Sequence, residues 1–101
     1  MKAYLIDAEN QVIENVDVKS MDDIIRLVGY ETIESDAVGN EGDRLFFDEE
    51  CFLRGSAGRF QINTVIPVSG KGILVGASED GTTLSDVHTD LDDLISRIKY
   101  L

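Results

Sequence analysis

Short segments in which apolar and polar residues alternate occupy most of this chain, and turns rich in glycine, asparagine or aspartate separate them. KAYLID at residues 2–7 and QVIENVDV at 11–18 flank the turn AEN, an arrangement typical of an opening β-hairpin. Alternation places every second residue on the same side of a strand, so one side can be buried while the other meets water. The pattern therefore favours a sheet that is largely antiparallel.

Further segments extend this pattern to the second half of the chain. The RFQINTVIPV segment is the best strand of the middle region, and the EDG turn predicts a hairpin between the last two strands. The predicted strands after the opening hairpin are 31–36 (weak), 44–50 (RLFFDEE), 59–68 (RFQINTVIPV), 70–78 (GKGILVGAS) and 82–87 (TTLSDV).

Two helices interrupt the strands. Ser20 is a candidate N-cap with Asp23 at the capping-box position, and Gly29 is suited to end the first helix. Thr89 is expected to cap the second helix, which is expected to run to the C-terminus. The expected apolar faces are Ile24, Ile25, Leu27 and Val28 on the first helix, and Leu91, Leu94, Ile95, Ile98 and Leu101 on the second.

A chain of 101 residues with 43% apolar composition is expected to form one domain, residues 1–101, around one modest core. Strands dominate and helices cover them. The sequence therefore predicts an α+β fold: a largely antiparallel sheet of about five to six strands with two helices, the second of them C-terminal.

The charge of the chain limits its partners. Twenty acids face nine bases, giving a net charge of −11, and such a surface repels phosphates. We therefore expect no direct binding to nucleic acid or membrane, and expect a basic protein surface as partner, with a second copy of the chain as a further candidate. The sequence shows no long apolar run or signal peptide and only one cysteine, Cys51, which together predict a cytoplasmic protein.

The charge is also distributed unevenly. Residues 34–50 hold seven acids against one base, Arg44, whereas residues 51–78 hold three bases and no acid. Helix dipoles do not account for the first segment, because it reads as a strand, a turn and a second strand. The seven candidate partner-binding acids are Glu34, Asp36, Glu41, Asp43, Asp48, Glu49 and Glu50.

No pattern of catalytic or metal-binding residues meets a known spacing, and we predict a protein that is not an enzyme and has no cofactor or metal. A calcium-binding EF-hand loop beginning at Asp36 fails at its third and sixth positions. Asp86, His88 and Asp90 alternate as on one side of a strand, but no second imidazole or thiolate lies near them in sequence. Acids adjacent to Cys51 disfavour its thiolate, which argues against a nucleophile.

The RGSAGR segment at 54–59 is a candidate anion site. Two arginines flank small residues whose backbone N–H groups could face an anion, and Lys71 follows in the same acid-free region. Two other interpretations remain open: a flexible turn with solvated arginines, or arginines that neutralise the protein's own acids. The candidate anion-binding residues are Arg54, Ser56, Arg59 and Lys71.

Three stretches resemble a family of small, uncharacterised acidic proteins encoded by phages and plasmids. They are GKGILVG after an apolar strand, FDEECFLRG before the glycine loop, and the KAYLID hairpin followed by a short helix. The resemblance implies an origin in a mobile genetic element and action in a bacterial host cytoplasm. It implies no activity for individual residues.

Two functions follow as expectations. The first is an acidic inhibitor that occupies the basic, nucleic-acid-binding surface of a host or defence protein, with carboxylates in place of phosphates. The second is a binding module that sequesters a small anion, such as a signalling nucleotide, at Arg54, Ser56, Arg59 and Lys71.

Overall fold

The alternating segments form two antiparallel sheets in the computed structural model, which describes residues 1–101. Two helices, α1 (Met21–Val28) and α2 (Leu91–Arg97), accompany them, with a single 3-10 turn at Cys51–Leu53. Neither helix has the length and apolar character that crossing a bilayer requires. The strands are β1 (Lys2–Asp7), β2 (Val12–Asp17), β3 (Ile33–Val38), β4 (Asp43–Asp48), β5 (Arg59–Ile62), β6 (Val68–Ser69), β7 (Lys71–Ala77), β8 (Leu84–Ser85) and β9 (Ile98–Tyr100).

The larger sheet has the strand order β2-β1-β7-β4-β3, and the short β8 pairs with the end of β7. Strand β7 is central, so that Ile73 faces Leu5 of β1 on one side and Phe46 of β4 on the other. Strands β2 and β3 are the outer edges, because each pairs with a single neighbour. The smaller sheet has the order β6-β5-β9.

Helix α1 covers one side of the larger sheet. Its buried residues Ile24 and Val28 pack in one cluster with Leu5, Phe46 and Ile73. Asp22 and Asp23 lie in the first turn and Arg26 in the last, as the helix dipole favours. The helix ends at Gly29, which adopts a left-handed conformation (φ 98°) and donates its N–H to the Ile25 carbonyl at 2.7 Å.

The smaller sheet and α2 cover the opposite side. Phe60 and Ile62 of β5 and Leu94 of α2 are fully buried in one cluster with Leu45 and Leu74 of the larger sheet. The molecule thus has three layers, with the larger sheet between α1 and the smaller sheet. The predicted α+β class, the largely antiparallel sheet and the two helices are confirmed.

The predicted strand at 59–68 is interrupted. Strand β5 ends at Ile62, Asn63 adopts a positive φ of 51°, and the Val65 N–H closes a turn on the Ile62 carbonyl at 3.0 Å. Pro67 has no N–H to donate to a continuing ladder. The residues after the turn therefore form a separate strand, β6, although the alternation of apolar and polar residues continues through the turn.

The second helix is shorter than predicted. Helix α2 stops at Arg97, and the last residues form β9, in which Ile98 pairs with Ile62. Of its predicted apolar face only Leu94 is fully buried, whereas Ile95 and Leu101 are exposed. Thr89 is not the cap, because Asp90 occupies that position. Pairing with β5 supplies the final residues with the backbone partners that a fraying helix end would lack.

The burial of α1 distinguishes two adjacent isoleucines. Ile24 is 0% exposed, whereas Ile25 is half-buried. Of the four residues of the predicted apolar face, Ile24 and Val28 are buried, and Ile25 and Leu27 are half-buried. We expect Ile24→Ala to lower the free energy of unfolding by about 2–4 kcal/mol and Ile25→Ala by less than half as much. Urea unfolding of the two variants measures the difference, and equal losses would mean that the helix is rotated from this position.

Candidate functional site

The seven acids predicted to bind a partner fall into two sets. Asp43 and Asp48 are buried, at 1% and 2% exposure, whereas the other five are exposed or half-buried. The two buried acids begin and end β4 and are held by internal hydrogen bonds. A buried carboxylate cannot contact a partner, so the prediction that these two belong to a binding surface is wrong.

Asp43 holds the segment that precedes α2. One carboxylate oxygen accepts the N–H of His88 at 2.8 Å and lies 3.0 Å from His88 Nδ1. The other accepts the N–H of Thr89 at 2.9 Å and its Oγ1 hydroxyl at 2.6 Å. Burial alone would raise the pKa of Asp43, but hydrogen bonds from Thr89 and His88 outweigh it and hold the pKa below the ordinary value. An ionised carboxylate only accepts hydrogen bonds, so the contact with His88 Nδ1 is a hydrogen bond when that nitrogen carries a proton.

Asp48 organises the turn after β4. It accepts hydrogen bonds from the Thr32 hydroxyl, from the Glu50 N–H at 3.1 Å and from Arg54 Nε at 2.8 Å. Burial opposes these contacts, but they hold the pKa of Asp48 below its ordinary value, with Arg54 the largest favourable contribution. Arg54 also bonds Glu50 at 3.2 Å. Of the interpretations left open by the sequence, neutralisation of the protein's own acids describes Arg54.

Two of the other five acids, Glu34 and Asp36, lie on the outer strand β3. Glu34 and Asp36 share one side of that strand, since they are two residues apart. Glu41 lies in the turn between β3 and β4. Glu49 lies near the start of β3, because its N–H donates a hydrogen bond to the Thr32 carbonyl at 2.6 Å. We define the acidic edge as Glu31, Glu34, Asp36, Glu41 and Glu49, none of which forms an ion pair within the protein.

Glu31 belongs to the acidic edge although it lies outside the predicted acidic segment, which begins at residue 34. The sequence does indicate that Glu31 belongs with the acids that follow it, because no base occurs between Arg26 and Arg44. Arg44 does not neutralise the acidic edge by contact. Its guanidinium bonds the side chain and the carbonyl of Ser35, both at 2.9 Å, and Ser35 lies on the side of β3 opposite Glu34.

Three of the four candidate anion-binding residues meet in one place. Arg54, Ser56 and Lys71 line a cleft of about 320 Å³ at the end of the larger sheet, which we call the end cleft. Arg59 is not among its lining residues, and its guanidinium lies 4.9 Å from the ring centre of Phe52. The end cleft is also lined by three acids, Asp7, Glu9 and Asp48, so its formal charge is not positive.

The loop from 54 to 59 is firmly held. The Ala57 N–H bonds Glu9 Oε1 at 3.1 Å, and the Ser69 hydroxyl lies within hydrogen-bond distance of the carbonyls of Ser56 and Gly58. Gly58 adopts a φ of 84°, and a Cβ there would lie 2.5 Å from the Ala8 carbonyl oxygen. Arg59 is exposed and forms no ion pair, as the interpretation with solvated arginines expects, whereas Arg54 is paired with Asp48. A carboxylate of the protein itself accepts a hydrogen bond from one of the loop N–H groups.

The remaining candidates do not come together. Asp86 accepts the Lys2 N–H at 2.8 Å, and His88 faces Asp43. Asp90 occupies the N-cap position of α2, where its side chain makes no capping hydrogen bond. No group of three His, Cys, Asp or Glu side chains is arranged to hold a metal ion. Cys51 is buried just after the end of β4, whereas His88 contacts its first residue, so a strand of six residues separates the two.

Comparison with known proteins identifies no relative of this chain. No protein-family model, curated protein or solved structure matches the chain. The charge and the geometry of the chain are therefore the grounds on which a function can be proposed.

Proposed function

We propose that this protein is an inhibitor that binds, through its acidic edge, the basic surface on which another protein holds nucleic acid. The observation that carries the proposal is the group of acids without ion pairs on and beside one outer strand. Carboxylates take the place of phosphates, and their counterions are released on binding, which provides affinity that falls steeply with salt.

The excess of acid is not consumed within the protein. Six of the twenty acids take part in ion pairs, which leaves fourteen without a basic partner. Arg54 and Arg97 are among the few bases engaged. A surface with so much uncompensated charge attracts basic partners over several ångströms and accelerates their association.

The acidic edge is attached to a buried strand of the larger sheet. Strand β3 pairs with β4 along six residue positions, from Ile33 opposite Asp48 to Val38 opposite Asp43. In β4, Leu45, Phe46 and Phe47 are all buried. Carboxylates on a strand fixed in this way lose less entropy when a partner docks than carboxylates on a mobile tail.

The resemblance to phage- and plasmid-encoded proteins supports the kind of partner in this proposal. A mobile element benefits from blocking the host proteins that handle its nucleic acid, so the target is a host or defence factor in the bacterial cytoplasm. The chain itself is expected to bind neither nucleic acid nor membrane, since both are polyanionic.

Charge-matched variants test the proposal. The edge variant carries Glu34→Gln, Asp36→Asn, Glu41→Gln and Glu49→Gln. The control variant carries Glu14→Gln, Asp22→Asn, Glu79→Gln and Asp92→Asn, four exposed acids elsewhere that also form no ion pair. Both lose four charges at nearly constant shape, so that only the position of the charge differs between them.

Immobilised wild type is expected to capture a basic bacterial protein at about 50 mM salt, to release it when duplex DNA is added, and to hold much less at about 200 mM. The edge variant should lose this capture while the control variant keeps it. Equal loss in the two variants would show a general charge effect, and a captured protein that DNA fails to release would exclude competition with nucleic acid.

A second candidate function is binding of a small anion, such as a signalling nucleotide, in the end cleft. The observation that favours it is the meeting of Arg54, Ser56 and Lys71 there. Three acids in the same cleft oppose a ligand with several negative charges. Under this candidate Lys71→Gln abolishes function and the edge variant is silent, the reverse of what the first proposal expects.

A further inference from the structure

The end cleft lies where several elements terminate. Asp7 closes β1, Lys71 opens β7, Asp48 closes β4, and Val28 and Gly29 end helix α1. Its volume of about 320 Å³ is at the lower end of the range for small-molecule sites. It is distinct from the acidic edge, with which it shares no lining residue.

Most charges in the end cleft are already compensated. Arg54 and Asp48 form a direct ion pair at 2.8 Å. Asp7 accepts the N–H groups of Glu9 and Asn10 on one oxygen and the Asn10 side-chain amide on the other. These groups are held by the protein itself, so they are poorly placed to bind a ligand.

Two opposite charges remain available. Lys71 takes part in none of the protein's ion pairs. Glu9 also forms no ion pair, and it gives only its Oε1 oxygen to the Ala57 N–H, at 3.1 Å. The C-terminal end of α1, at Val28 and Gly29, adds partial negative charge from its carbonyls. The cleft thus presents a lysine and a glutamate that form no direct ion pair, together with a helix end that favours cations. Lys71 lies opposite Asp7 across the β1–β7 pairing, and its charge contributes to the lowered pKa of that carboxylate.

The walls of the cleft are formed before any ligand arrives. The Gly70 N–H bonds the Gly58 carbonyl at 3.3 Å, and the Ala8 N–H bonds the Gly70 carbonyl at 2.9 Å. The guanidinium of Arg54 lies 4.2 Å from the ring centre of Tyr30, which fixes both side chains on one wall. A site that is already ordered loses little entropy on binding.

We propose that the end cleft binds a small zwitterion, a molecule that carries one carboxylate and one ammonium group, of which a free amino acid is the simplest example. The carboxylate is bound by Lys71 and the Ser56 hydroxyl. The ammonium is bound by Glu9 and the carbonyls at the end of α1. A purely anionic ligand would leave Glu9 uncompensated and repelled, and a purely cationic ligand would do the same to Lys71.

Thermal melting of the intact protein with each standard amino acid, followed by calorimetry, tests the proposal. At least one amino acid should raise the Tm by several degrees, as expected for a ligand that binds only the folded state. Its N-acetyl derivative, which lacks the ammonium, and its amide, which lacks the carboxylate, should each bind at least about tenfold more weakly.

Matched variants locate the site. Lys71→Gln and Glu9→Gln should each weaken binding about tenfold or more, and glutamine at position 9 retains an oxygen for the Ala57 N–H. The controls Lys99→Gln and Glu14→Gln, and the edge variant, should bind as wild type does. No Tm shift with any amino acid, or equal binding by the N-acetyl derivative, would overturn the proposal, as would wild-type affinity in both cleft variants.

Discussion

Replacing Asp43 with alanine is expected to lower the free energy of unfolding by about 3–5 kcal/mol, because it leaves the buried N–H and hydroxyl groups of Thr89 and the partly buried N–H of His88 without their acceptor. The segment before α2 would lose the contact that positions it on β4. Urea unfolding at neutral pH measures the loss. The control is Asp36→Ala on the neighbouring strand β3, where the carboxylate forms no ion pair and the loss should stay below about 1 kcal/mol.

The loss of stability in the same variant should depend on pH in a defined direction. The folded-state pKa of Asp43 lies below its ordinary value of 3.8, so the folded protein binds fewer protons than the unfolded chain in that range. The stability that Asp43 provides is therefore complete above the ordinary value and is lost as the pH falls through the folded-state value. The difference between wild type and Asp43→Ala should be largest at neutral pH and should narrow below about pH 4. A difference that stays constant down to the lowest pH would mean that the charge of Asp43 contributes nothing.

Phe60→Ala is expected to cost about 3–5 kcal/mol, because it removes the largest fully buried side chain of the smaller sheet. Phe60 packs on β7 at Gly72, where a Cβ would lie only 2.8 Å from Phe60 Cζ. The ring therefore fills the space that the missing side chain leaves, and it joins the two sheets. Its loss would leave a cavity between layers that cannot close without moving strand β7.

Phe52→Ala is the matched control for this prediction. Phe52 is 51% exposed on the 3-10 turn, and its main contact is the guanidinium of Arg59. We expect a loss of less than about 1.5 kcal/mol. Urea unfolding of both variants gives the comparison, and a Phe60→Ala variant no less stable than Phe52→Ala would show that the two sheets are not packed through this ring.

The strands and helices with strong local patterns could be recognised from the sequence alone. The KAYLID segment, RLFFDEE and GKGILVGAS alternate or are continuously apolar over lengths typical of strands, and they form β1, β4 and β7. The stop of α1 at Gly29 followed from the need for a left-handed residue, which glycine adopts without strain. These features depend on interactions between residues close in sequence, which is why a single sequence contains them.

The errors arose where distant pairing overrode local pattern. Residues 98–100 continue a helical periodicity, yet they form β9 because β5, more than thirty residues earlier, offers them backbone partners. The alternation at 59–68 conceals a turn for a similar reason, since β6 and β9 both pair with β5. The residues that are close in sequence do not indicate which strand will pair with these segments, because only folding brings that strand close.

The candidate sites divide in the same way. Composition determined the net charge and its repulsion of phosphates, and the order of the residues determined the acid-free region from 51 to 78. Only the tertiary structure decided that Asp43 and Asp48 are buried while Glu34 is exposed and Asp36 half-buried, because β4 lies inside the sheet and β3 at its edge. The same holds for the end cleft. Glu9 and Lys71 are far apart in sequence, and they line one cleft because β1 pairs with β7. A charge is a property of a residue, whereas its availability depends on which neighbours the fold places around it.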